Sequence, residues 1–231
     1  LVSGQNVVIA VLAALVVGVV VGFLNGFIIS KGKLQPFIAT LATMTVLKGL
    51  TLVYTNGNPI TLGSNELAMS FGKIGGGTIL GIPTPAMIMI LVFMVCYYIL
   101  HNTKMGRYTY ALGSNEEATK LSGLNTDKIK IWVYTISGIL ASIAGIIITS
   151  RLYSAQPTAG SGYELDAIAA VVLGGTSLNG GKGKITGTII GALIIGVLSN
   201  ALNILDVSSY YQTMVKGAVI LLAVLLDRKS N

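Results

Sequence analysis

KMGRYTYALGSNEEATKLSGLNTDKIK, residues 104–130, is a charged island in an otherwise apolar chain. It holds five of the fifteen Lys and Arg residues, together with Glu116, Glu117 and Asp127. The runs on either side, 79–100 and 131–150, each have about the 20 apolar residues needed to cross about 30 Å of hydrocarbon. A charged island between two such runs points to an all-α, polytopic transmembrane helix bundle, since a spanning segment must satisfy its own backbone hydrogen bonds. The island has local order of its own. Good helix formers run from Asn115 to Leu121, with Ser114 placed to cap them. Glu116 and Glu117 fall in the first turn, where negative charge opposes the helix dipole. Lys120 stands four residues after Glu116, and Gly123 suits a left-handed stop. The expectation is a short helix lying across the membrane face rather than a solvated loop.

Composition agrees. Only 10% of the 231 residues are charged and 53% are hydrophobic, with a mean hydropathy of +0.79, whereas soluble domains carry about 25% charged residues. The chain begins at Leu1, near an apolar run that has no basic flank and is too long for a signal-peptide core. Cys96 is the only cysteine, so no disulfide forms within the chain, and a buried inert thiol is expected. The net charge of +7 does not signal nucleic acid, because the basic residues lie in loops between spans, as membrane topology requires. The partner is membrane lipid.

Four apolar runs are clear: 7–29, 79–100, 131–150 and 185–205. Three are weaker: 37–54, 164–178 and 211–226. Together they suggest about seven spans in a single transmembrane domain, 1–231. With the 104–130 island inside the cell, eleven of the fifteen basic residues are cytoplasmic, including Lys31, Lys33, Lys182, Lys184, Arg228 and Lys229. The N-terminus is then outside and the C-terminus inside. The outer loop 55–78 is long enough to form a docking surface, although a flexible turn is the simpler reading. Gly18, Gly22 and Gly26 make a small-residue ladder, and Ala141 with Gly145, then Gly187 with Gly191, repeat the device. In lipid, such positions let backbones approach closely.

Enzyme signatures fail. Around Gly180-Gly181-Lys182-Gly183 the phosphate-loop pattern breaks, because Lys182 is followed by Gly183 and no glycine stands six residues before it. His101 is the only histidine, so a metal centre with several ligands is not expected. GxSxG and HExxH are absent. No cofactor and no catalytic residue is expected. Polar residues inside spans are costly in lipid and often face a pathway. Thr40, Thr43, Lys48 and Thr51 share an arc of about 140° on a helix over 37–54. Thr188, Ser199, Asn200 and Asn203 share another on 185–205. Hydroxyls and amides suit an uncharged, polyhydroxylated solute. Hydrogen bonding between helices or back to the same helix is the alternative. Lys48 and Lys216, near outer span ends, are expected to snorkel or to pair with Asp206, Asp166 or Glu164.

Several stretches carry a family likeness: KGKLQPFIATLATM, LVYTNGNPIT, LGIPTPAMIMILVF, MGRYTYALGSNEEATKLSGLNTDKIKI, SAQPTAGSGYELDAIAAVVLGGTSLNGGKGKITGTIIGALIIGVLSNALN and SSYYQTMVKGAVILLAVLLD. Through them the chain resembles the membrane permeases of bacterial ATP-binding-cassette importers for monosaccharides. The likeness covers essentially everything past about residue 25. It implies a ribose-like solute, with xylose, galactosides, arabinose or a signalling furanosyl compound carried by near relatives. It also implies a home in the bacterial cytoplasmic membrane and a second permease subunit as partner. Cytoplasmic ATP-binding subunits would grip the 104–130 loop through Gly113, Asn115, Glu116, Glu117, Ala118 and Gly123, and an extracytoplasmic sugar-binding protein would deliver the solute. The family's chains are expected to have about ten spans, so three N-terminal spans are expected to be missing here. Their removal turns an inside start into an outside one, in agreement with the charge.

Two other classes compete. An ion-coupled secondary carrier calls for a carboxylate or histidine deep in a span, and the clear spans hold none. An importer for branched-chain amino acids calls for groups facing a carboxylate and an ammonium, which the uncharged stripes do not supply.

Overall fold

The computed structural model describes residues 6–63 and 65–230, with the backbone alone at 220 and 222–230. In chain order the elements are α1 (Val7–Gly32), α2 (Pro36–Thr55), β1 (Ile60–Thr61), α3 (Glu66–Gly76), β2 (Thr78–Ile79), β3 (Ile82–Pro83), α4 (Thr84–Asn102), α5 (Lys104–Ser114), α6 (Glu116–Leu121), α7 (Thr126–Leu152), β4 (Ser154–Ala155), α8 (Tyr163–Leu173), α9 (Ile185–Ile204) and α10 (Ser209–Ser230). Among the described residues, α1, α2, α4, α7 and α9 are long and apolar enough to cross a membrane. Of the two remaining apolar runs, 164–178 folds as α8 with only 11 residues, about 16 Å of helix. It stops at Gly174-Gly175, where Gly175 takes a φ of +79°. The run 211–226 falls in the 22-residue α10, and the side chains of Arg228 and Lys229 beyond it lie outside the described residues.

The chain divides into two units, Leu1–Val92 with Asn125–Ala159, and Phe93–Leu124 with Gly160–Asn231. In the first, α1 and α7 run antiparallel in backbone contact. A Cβ on Gly22 would meet the Tyr134 carbonyl oxygen and come within 2.9 Å of the Thr135 Cα, one on Gly26 would lie 2.6 Å from the Ile131 Cα, and one on Gly138 would run into the Gly18 carbonyl oxygen. Apolar side chains give helices little reason to associate in lipid, so this close approach supplies the packing. Lys31 Nζ lies 2.7 Å from Asp127 Oδ2 and ties the end of α1 to the start of α7.

The expected partner pair on α7 shifts. Gly138 and Ser142 meet α1, whereas a Cβ on Gly145 would meet nothing within 4 Å. Gly145 stands on the same face, two turns past Gly138, where the helices have parted around a mainly apolar cavity. That cavity, of about 520 Å³, is lined by Ala10, Ala14, Phe71, Ser142, Gly145 and Thr149 among others.

The stretch 55–78, apart from residue 64, is a folded layer rather than a flexible turn. Asn65 caps α3 by accepting from Ala68 N at 2.9 Å, and Phe71, Ala68 and Leu62 bury together. The fully buried Ser150 accepts from Gly75 N at 2.7 Å and donates to the Phe71 carbonyl at 2.5 Å. β1 pairs with β4 antiparallel, Ile60 opposite Ala155. The amphipathic pattern of α3, masked by the glycines around it, is what brings this segment down onto α7.

In the second unit, α8 and α9 form a tight pair. A Cβ on Gly174 would lie 2.5 Å from the Gly187 carbonyl carbon, and one on Gly191 would run into the Ala170 carbonyl oxygen. Lys216 Nζ pairs with Asp166 Oδ2 at 2.7 Å, joining α10 to α8, while Lys48 stands exposed on α2. Both members of the Lys216–Asp166 pair keep only about a quarter of their side-chain surface, 26% and 24%. Removing one partner of a fully buried pair costs about 3–5 kcal/mol, and less for a part-buried pair such as this one, whereas replacing both by apolar groups is often near neutral. Asp166→Leu is therefore expected to lower the melting temperature in detergent more than Asp166→Leu combined with Lys216→Met. Equal melting temperatures would refute the pairing as a stabilising contact.

Candidate coupling site

Within the island 104–130, whose last five residues begin α7, residues 104–121 fold as two helices that meet at one residue. Asn115 N donates to the Ala111 carbonyl at 3.0 Å, which closes α5. Its side-chain Oδ1 accepts from Ala118 N at 2.9 Å, which opens α6. Asn115 is thus the N-cap, not Ser114. The Ser114 hydroxyl instead donates back to the Tyr110 carbonyl at 3.0 Å, a bond available to it because α5 continues through Ser114. The far end of α6 closes as the composition predicts. Gly123 takes a φ of +82°. Its N–H bonds the Lys120 carbonyl at 3.0 Å, and Leu124 N bonds the Thr119 carbonyl at 3.4 Å, the paired pattern of a left-handed stop.

Between these caps the surface of α6 is polar and open. Glu116, Glu117, Ala118 and Lys120 are exposed, and Leu121 is 89% exposed. Only Thr119 points inward, its hydroxyl donating to the Asn115 carbonyl at 2.7 Å. A six-residue helix has no stability of its own, so the caps and Thr119 hold this one in shape. The result is a small, fixed knob with two carboxylates in its first turn and an apolar tip, suited to a complementary protein surface.

Gly113 has a different surrounding. A Cβ there would lie 2.6 Å from Gly181 N, and one on Gly180 would lie 2.5 Å from the Gly113 carbonyl oxygen. The Tyr110 hydroxyl donates to the Gly183 carbonyl at 2.7 Å. The glycine-rich turn after α8 therefore sits directly on the last turn of α5. In sequence the turn showed itself as a broken phosphate-loop pattern and a place for cytoplasmic Lys182 and Lys184, with no sign of its contact with α5. Its signal was the run of glycines, of which Gly180 and Gly181 adopt φ of +88° and +74°.

The polar stripes are more committed than expected. Thr40, Thr43 and Thr51 each donate to a carbonyl of their own helix, at 3.0 Å, 3.0 Å and 2.8 Å, leaving lone pairs free to accept. On α9, Ser199 is half-buried while Asn200 and Asn203 are exposed, and the Asn203 Oδ1 accepts from Gln212 Nε2 at 2.9 Å. Two polar groups not singled out in the sequence, Asn25 within the ladder of α1 and Ser154 on β4, have a buried side-chain oxygen with no hydrogen-bond partner. His101 stacks on Tyr97 with ring centroids 4.2 Å apart. Among the described residues no three His, Cys, Asp or Glu residues gather where a metal could sit.

Five membrane-length helices among the described residues, with an exposed, doubly capped short helix between two of them, are the features of a polytopic membrane protein. Residues 1–224 match the family model described as branched-chain amino acid transport system / permease component. The chain is 62% identical to the ribose import permease protein RbsC of Escherichia coli (strain K12) over 98% of its own length and 70% of that protein. It is 58% identical to the RbsC of Bacillus subtilis (strain 168) over 100% of its length and 71% of that protein. Against the D-allose transport system permease protein AlsC of Escherichia coli (strain K12) the identity is 38%, over 95% and 66%. No solved structure matches. The chain belongs to this family of transport-system permeases.

Proposed function

We propose that this chain is the membrane permease of an ATP-binding-cassette importer for ribose or a ribose-like monosaccharide in the bacterial cytoplasmic membrane. The observation that carries the solute is the identity of 62% and 58% to two ribose import permeases, against 38% to the permease for allose. The family description is worded for branched-chain amino acids, but these relatives are named for sugars, and the reading follows them.

The permease does no bond chemistry in this reading. Cytoplasmic ATP-binding subunits dock on α6, with Glu116, Glu117 and Ala118 as contacts, Asn115 and Gly123 as its caps and Gly113 behind it. A second permease subunit completes the pathway, and an extracytoplasmic sugar-binding protein delivers the solute to the 55–78 layer. The Thr40, Thr43 and Thr51 oxygens on α2, and Ser199, Asn200 and Asn203 on α9, are the candidate pathway groups. About seven crossings follow from the same scheme. The packing of the glycine turn on α5 supports its lying on the cytoplasmic side with the island, and in that reading the chain returns to that side between the end of α7 and the turn. The short α8, with Ala169, Ala170 and Val172 buried in its second half, is the candidate segment for that return.

The test is labelled-ribose uptake into vesicles holding the permease with its ATP-binding and sugar-binding proteins, with and without ATP. Uptake that depends on ATP is expected. Co-purification of the ATPase without ribose uptake would keep the importer and refute the sugar, and ATP-independent uptake would refute the importer.

A further inference from the structure

The glycine turn between α8 and α9 serves the scheme so far only as a marker of topology. Three separate contacts hold it against the last turn of α5. Gly113 and Gly181 touch backbone to backbone, since a Cβ on Gly113 would lie 2.6 Å from Gly181 N. Gly181 lies against Ser114 so closely that an added Cβ would be 2.9 Å from the Ser114 Cα. Tyr110 reaches past both to bond the Gly183 carbonyl at 2.7 Å. The turn is closed on itself, with Ser177 N bonded to the Lys182 carbonyl at 3.0 Å and Gly180 N to the Ser177 carbonyl at 3.2 Å.

We propose that the turn is the brace through which a push on the coupling helix reaches the α8–α9 pair, with Tyr110, Gly113, Gly180 and Gly181 as positioning residues. The inference rests on the reading of α6 as the docking helix. Asn115 joins α6 to α5 with no intervening residue, so the knob and the last turn of α5 move together. Where Gly113 meets Gly180 and Gly181 the nearest atoms are all backbone, so no side chain stands there to change rotamer and absorb the motion, and packed backbone has little compressibility. The turn leads into α8 at one end and α9 at the other. Those helices are themselves locked backbone to backbone at Gly174 and Gly187 and at Ala170 and Gly191. α9 carries Ser199, Asn200 and Asn203 into the apolar layer. A displacement of α6 thus has an unbroken path of stiff contacts to a membrane helix, all within one unit of the fold.

Gly113→Ala and Tyr110→Phe test this, each reconstituted with the ATP-binding and sugar-binding proteins and labelled ribose. Alanine is at ease in a helix, so at position 113 its only fault is the methyl driven into Gly181. Phenylalanine removes one hydroxyl and leaves the fold intact, which keeps the test decisive if the alanine variant fails to assemble. Gly196→Ala is the control, because a Cβ there meets nothing within 4 Å. Both test variants are expected to retain the ATPase and its hydrolysis, while sugar moved per ATP falls by about tenfold, as expected for a broken energetic link. The control is expected to behave as the unaltered protein. An unchanged ratio in both variants overturns the brace, and so does a parallel fall of binding, hydrolysis and uptake. If the unaltered permease neither retains the ATPase nor imports ribose, the docking reading itself has failed and the brace falls with it.

Discussion

Gly22→Leu is expected to abolish the folded bundle: the variant should aggregate on solubilisation, and no cooperative melting transition should remain by fluorescence-detected size exclusion. A Cβ at Gly22 already runs into the Tyr134 carbonyl oxygen and lies 2.9 Å from the Thr135 Cα. A leucine adds three more carbons in the same direction. Overpacking a core ordinarily costs about 1–3 kcal/mol, because neighbouring side chains give way. Here the neighbour is backbone and cannot rotate aside, so α1 must move away from α7. Moving it breaks the contacts at Gly18 and Gly26 as well, and strains the Lys31–Asp127 pair. Folded domains hold only about 5–15 kcal/mol in total, so losing one whole helix interface leaves little. Gly22→Ala is expected to fall between, with a lowered melting temperature. Gly49→Ala on α2, where a Cβ meets nothing within 4 Å, is expected to be neutral or slightly stabilising. Equal melting temperatures for Gly22→Ala and Gly49→Ala would refute the ladder as the packing device.

That ladder is legible in the sequence, because small residues four apart in an apolar helix have one physical use in lipid. Its partner was read less well. Ala141 and Gly145 have the right spacing, but spacing alone does not say where two helices part, and Gly145 lies past that point. The short helix over 116–121 was legible from its acidic first turn and from Gly123, whereas the cap was misplaced by one residue. Ser and Asn are both good caps, and which one serves depends on where α5 ends. The layer over 55–78 was hidden for a different reason. Its fastening runs through Ser150, which is 75 residues from Gly75 and 79 from Phe71, and no local pattern announces so distant a bond. The glycine turn on α5 was hidden in the same way. Tyr110 and Gly183 are 73 residues apart, and a glycine placed for close approach looks, in sequence, like a glycine placed for a turn.

Reversing both charges with Glu116→Lys and Glu117→Lys is expected to lower recovery of the ATP-binding subunits on the purified permease by about tenfold or more. Uptake of ribose should fall at least as far. Both carboxylates are exposed in the first turn of α6, so their replacement opens no cavity and buries no charge. Two lysines there are repelled by the positive N-terminal end of the helix dipole, at about 0.3–1 kcal/mol each, and α6 is short enough to fray. Glu116→Gln with Glu117→Gln separates the two effects, since glutamine removes the charge without reversing it. If docking is electrostatic, the neutral variant should bind the ATPase at an intermediate level, and added salt should weaken the unaltered complex more than the neutral one. If the lysines act only by melting α6, the neutral variant should bind normally and salt should make no difference. The bundle provides its own control, because α1 and α7 pack without any contribution from α6, and the melting temperature should stay within a few degrees of the unaltered protein. Unchanged recovery of the ATPase on the doubly reversed permease would remove α6 as the docking element, and the brace behind it would lose its input.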